Sequence, residues 1–177
     1  MSSPNNPDLG MNVFDRPFSR GIGFGLLGGF AGTALMDVII VSTFLIAGEP
    51  GDSFFAMVGE KLGGGAVIGI GLHNLVGLTG GFIFASLVQN VNALAIDTRR
   101  KGVLLGICVG ALTIPVGCIP LAIWLGKPIL IVIAFSAAPH MVYGIVLGLI
   151  VSYGLLSSIQ PKEKKEGCCA DDEEAAV

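Results

Sequence analysis

Three ionisable residues stand inside apolar runs where charge is expensive: Asp37, His73 and His140. Asp37 is the one acidic residue within any such run, and the chain has no other histidines. A carboxylate with two imidazoles is a donor set that would take a metal ion or accept a proton. The same groups would also satisfy one another by hydrogen bonding, at about 1 kcal/mol per bond in a membrane, and so fix helix register. Both readings start from one requirement. Within lipid, an ionised carboxylate must find a donor or take up a proton. Asn74, Ser136 and Tyr143 are placed to extend a polar network around the three. No Ser-His-Asp arrangement, phosphate-binding loop or Cys-x-x-Cys accompanies them, and four helices leave little room for a substrate pore.

The spacing around these residues is that of helix contacts. Gly21, Gly25, Gly29, Thr33 and Asp37 stand at four-residue steps, as do Gly69, His73, Gly77, Gly81 and Ala85. His140, Gly144, Gly148 and Ser152 repeat the step, and Gly106 and Gly110 share it. Residues four apart lie on one helix face, and small residues there let backbones approach closely. Gly25, Gly29, Gly69, Gly77, Gly81, Gly106, Gly110, Gly144 and Gly148 are therefore expected at helix contacts. Asp37 and the two histidines would then face other helices and not lipid.

The elements that must position these residues are membrane spans. Of 177 residues, 53% are hydrophobic and 13% charged, and the mean hydropathy is +0.81. A soluble domain carries about 25% charged residues, so this chain lacks the surface charge to be one. The net charge of −3 arises largely from Asp171, Asp172, Glu173 and Glu174, and no basic patch points to nucleic acid. Four apolar runs, about 21–47, 64–89, 103–125 and 129–156, each exceed the roughly 20 residues needed to cross a bilayer. The first is too long for the core of a signal peptide and reads as a retained span. The expected fold is an all-α integral membrane protein, an antiparallel four-transmembrane-helix bundle. A polar N-terminal tail (1–20) and a charged C-terminal tail (157–177) flank it.

Lys and Arg set the orientation. The N-terminal tail, the 90–102 loop and the C-terminal tail hold eight of the ten basic residues, so both termini are expected in the cytoplasm. In the outer loop, Ser53–Leu62 reads as a short interfacial helix laying Phe54, Phe55, Val58 and Leu62 on the membrane, or as a lid over what lies beneath. On these boundaries Asp37, His73 and His140 each lie about 15 Å below the outer surface. Pro115, Pro120 and Pro139 are expected to kink their helices. Cys108 and Cys118, about 15 Å apart along a helix, are too distant for a disulfide. The Cys168–Cys169 pair reads as reduced thiols in the tail.

The two halves echo each other. His73 and His140 are each followed by three small residues at four-residue steps; Gly28 and Gly32 precede Asp37 as Gly106 and Gly110 precede Pro115. The pattern implies two related helical hairpins of one orientation, related by an axis along the membrane normal.

These motifs resemble a known type. Pro139-His-Met-Val-Tyr-Gly-Ile-Val-Leu-Gly-Leu-Ile, with Leu72-His-Asn-Leu-Val-Gly and Gly-Phe-Ala-Gly-Thr-Ala-Leu-Met-Asp37, is similar to the small four-helix membrane proteins of the YagU-like type. The resemblance covers about residues 21–156 and implies the fold; it supplies no activity. The expected function is that of a non-catalytic multi-pass membrane protein, a structural or accessory subunit of a larger membrane complex. Respiratory or membrane monooxygenase assemblies are the analogy. Its expected partners are the lipid bilayer and other membrane helices, in a homo- or hetero-oligomer. The alternative is a small proton, ion or metal carrier, with a metal ion at Asp37, His73 and His140 as its cofactor.

Overall fold

A computed structural model describes residues 18–157; Arg16, Lys162, Lys164, Lys165, Cys168 and Cys169 lie outside the described residues. The elements are α1 (Phe18–Ile46), α2 (Ser53–Glu60), α3 (Ala66–Asn90), α4 (Arg99–Thr113), α5 (Ile119–Leu125) and α6 (Ile129–Leu156). A 3-10 turn, Asn92–Leu94, follows α3, and a π-helical segment, Ile114–Cys118, joins α4 to α5. Four stretches are long and apolar enough to cross a membrane: Ser19–Ile46, Ala66–Asn90, Arg99–Leu125 and Ile129–Leu156. Large side chains stand open on their flanks, Val67 at 83% and Leu130 at 81% exposure. Water would not tolerate so continuous an apolar surface; lipid does.

Local chemistry sets the ends. Gly48, Gly63 and Gly126 adopt φ of 81°, 79° and 68°, a left-handed conformation that costs other residues a Cβ clash. Beyond each glycine the next N–H reaches back into the last turn, from Glu49 to Phe44 O (3.0 Å), Gly64 to Gly59 O (2.9 Å) and Lys127 to Ala122 O (2.9 Å). This closure satisfies carbonyls the helix end would leave open. The third span starts at Arg99, earlier than hydropathy indicates, because Thr98 caps it by accepting the Lys101 N–H at 3.3 Å. Pro115 lies in the π segment and Pro120 in the first turn of α5, whereas α6 runs through Pro139 as one helix. Hydroxyls within the spans fold onto their own helices: Thr33 donates to Gly29 O (2.7 Å), Ser42 to Val38 O (2.7 Å) and Ser152 to Gly148 O (2.5 Å). Bonded this way, these three hydroxyls present no free donor to lipid.

Helices α1 and α6 occupy the centre and pack on each other; α3 packs on α1, and α4 on α6. All three contacts are antiparallel. Met36, Phe84, Val88, Ile96, Tyr143, Leu147, Val151 and Leu155 form the buried cluster between them. On the α1–α3 contact, a Cβ placed on Gly29 would stand 2.5 Å from Gly77 O and 3.2 Å from Gly81 Cα. Gly25 meets Gly81 and Ala85, Thr33 meets Gly77, and Gly21 meets Gln89. On the α4–α6 contact, Gly102 meets Ser152, Gly106 meets Gly144 and Gly148, and Gly110 meets Gly144 and His140.

These rungs define the repeat, and they shift it by one residue from the sequence echo. The counterparts of Gly106 and Gly110 are Gly29 and Thr33, not Gly28 and Gly32. Gly28 and Gly32 lie on another face of α1, against Leu147 and Tyr143 of α6, where added Cβ atoms would stand 3.1 and 2.9 Å from side-chain carbons. The α1 sequence thus carries two small-residue faces one position apart. One serves its own hairpin and one joins the hairpins.

Candidate functional site

The α1–α3 ladder continues past Thr33 and Gly77 to Asp37 and His73. His73 Nδ1–H donates to Asp37 Oδ1 at 2.6 Å. Asn74 Nδ2 donates to Asp37 Oδ2 at 3.0 Å and to Ile70 O at 3.0 Å. Each carboxylate oxygen thus has a donor, and no buried side-chain nitrogen or oxygen among the described residues lacks a partner. His73 and Asn74 are adjacent in sequence, so they straddle the carboxylate from one helix turn. By helix rise Asp37 lies about 14 Å and His73 about 10 Å from the ends of their helices next to α2, somewhat shallower for His73 than the sequence indicates.

Helix α2 roofs this pair. Phe55 is buried at 1% exposure, and its backbone carbonyl sits against Gly69, where a side chain would collide with it. The His73 ring stands edge-on to Phe54 (centroids 6.0 Å, 81°) and tilted against Phe55 (5.7 Å, 60°). Val58 is also buried, whereas Leu62 lies beyond the helix and is exposed. The loop between α1 and α3 is therefore packed on α3 over the site, the lid arrangement. Beneath it His73 and Asp37 side chains keep 17% and 18% exposure. His73 Nε2 has no hydrogen-bond partner among the described residues.

His140 does not join this pair, which corrects the expectation of one three-residue set. In the rung register, Ile114 occupies the position opposite His140 that Asp37 occupies opposite His73, so no carboxylate meets it. Its Nδ1–H donates instead to Ser136 O at 2.7 Å, one turn back on α6. Its Nε2 lies 3.7 Å from Cys118 Sγ and accepts from the thiol. Among the described residues no three His, Cys, Asp or Glu side chains gather as a metal ion would require. Of the wider network, Asn74 joins the carboxylate, Ser136 serves His140 through its carbonyl, and Tyr143 Oη donates to Gly77 O at 2.9 Å, tying α6 to α3. Cys118 is the partner that sequence spacing missed. The π segment advances it around the helix, and Pro115 with Pro120 is the only local signal of that break.

Fold and site define a helical protein with four potential membrane spans and a carboxylate–imidazole–amide cluster between two of them. No family model, curated protein or solved structure matches the chain.

Proposed function

We propose that this protein is a non-catalytic subunit of a cell-membrane complex, of the YagU-like type, with both termini cytoplasmic, whose helices dock against those of other subunits. One observation carries the reading. Gly23 and Gly71 lie inside α1 and α3, both exposed, and among the described residues no atom outside their own stretch of helix lies within 4 Å of where a Cβ would stand. Each costs its helix about 1 kcal/mol relative to alanine, and nothing among the described residues uses the close approach in return. A partner helix would use it. The closed hydrogen bonding of Asp37 fits the same reading, as a clamp that fixes α1 on α3. Extraction in mild detergent should release a particle larger than the 18.2 kDa chain. A lone monomer that co-purifies with nothing contradicts the proposal, and Cys168 reacting from outside intact cells contradicts the orientation.

The unpartnered His73 Nε2 favours a second reading, a proton or cation carrier working at Asp37 and His73. Reconstituted vesicles should then show flux that His73→Ala or Asp37→Asn abolishes. Equal flux in parent and variants, or none in either, removes it.

A further inference from the structure

A second polar site lies at the opposite end of the helices, where α1 and α4 begin and α6 ends. A cavity of about 260 Å³ is lined there by Arg99, Tyr153, Leu156 and Ser157. Arg20, from the first turn of α1, borders it: its guanidinium donates to Ser157 Oγ at 3.4 Å and lies over the Phe24 ring, 6.0 Å from the centroid. Neither guanidinium meets a carboxylate among the described residues; Lys101 is the basic residue that does, with Asp97 at 3.8 Å.

The charge placement runs against the helices. The first turn of α4 reads Arg99-Arg100-Lys101, and neither α1 nor α4 has an acidic residue in its first turn. A helix start is the positive end of the backbone dipole and favours anions. Among the described residues, the one carboxylate beside these two guanidinium-bearing ends is Asp97, and it pairs with Lys101. Arginine's planar fork suits a phosphate, which takes paired N–H donors.

We propose that this cavity binds the phosphate of an anionic membrane lipid. Arg20 and Arg99 sit at the first residues of the spans Ser19–Ile46 and Arg99–Leu125, the level at which headgroup phosphates lie. Leu156 and the exposed ring of Tyr153 give an acyl chain and glycerol an apolar flank, which a free phosphate would not use. The site rests on the helices spanning a membrane and is independent of whether another subunit docks.

The test is native mass spectrometry of the full chain in mild detergent, titrated with phosphatidylglycerol, phosphatidylcholine or inorganic phosphate. The parent should retain one phosphatidylglycerol in preference to phosphatidylcholine, undisturbed by millimolar phosphate. Arg99→Gln, alone or with Arg20→Gln, should weaken retention about tenfold or more, the loss expected when charge-assisted hydrogen bonds are removed. Arg100→Gln, whose side chain does not line the cavity, should retain the lipid as the parent does. Thermal melting in lipid-free detergent, unchanged in Arg99→Gln, separates lost binding from lost folding. Retention by Arg99→Gln and the double variant equal to the parent, or equal retention of phosphatidylcholine, overturns the proposal. Displacement of the lipid by inorganic phosphate assigns the site to a soluble ion and overturns the lipid source.

Discussion

His73 Nδ1 stands 2.6 Å from Asp37 Oδ1, on the rung that continues the small-residue ladder between α1 and α3. The ladder brings the backbones close enough for a short carboxylate and a ring to meet directly. Asn74 on the next position takes the other oxygen. The pair therefore couples charge satisfaction to helix register.

That coupling is measurable. A double-mutant cycle over Asp37→Ala and His73→Ala should give an interaction free energy of about 1 kcal/mol, the scale of intramembrane hydrogen bonds. Unfolding measured in a bilayer-like detergent supplies the four values. Additive losses would mean that the two groups do not support each other.

The glycines should divide by what faces them. Gly29→Leu and Gly106→Leu would drive side chains into the backbones of α3 and α6, costing about 1–3 kcal/mol or more by overpacking. Gly71→Ala meets open space and should be neutral or stabilise the isolated chain by up to about 1 kcal/mol. Melting temperatures of the purified variants check the contrast; equal effects at all three positions would contradict the ladder.

Much of this arrangement was legible in the sequence. Four-residue steps of Gly, Thr and Asp on α1 face matching steps on α3, because helix periodicity alone fixes which residues share a side. Hydropathy marked the four spans for the same elementary reason. The pairing of hairpins was read one residue out, because α1 carries two adjacent small-residue faces and periodicity cannot say which partner each meets. Depth places His140 level with Asp37, yet depth carries no information about which helix a residue faces, and the His140, Gly144 and Gly148 face packs on α4, not on α1. The aromatic roof was equally ambiguous. Phe54 and Phe55 suit a lipid surface as well as an imidazole, and only the close seat of α2 on Gly69 decides between them.

The roof makes its own prediction. Phe55→Ala removes a ring buried at 1% exposure, a truncation that costs about 3–5 kcal/mol in well-packed interiors. The loss should fall on the seating of α2 more than on the four long helices. Carbethoxylation of His73, followed separately from His140 by mass spectrometry, should accelerate in the variant. An unchanged rate at His73 would show that α2 does not shield it.

The docking role is tested most directly by a photo-reactive side chain at position 71, activated in intact membranes. Position 104, where Leu104 stands 62% exposed on α4, serves as the lipid-facing reference. The account predicts a discrete adduct between position 71 and another polypeptide, with lipid adducts alone from position 104. Lipid adducts alone from both positions would contradict it.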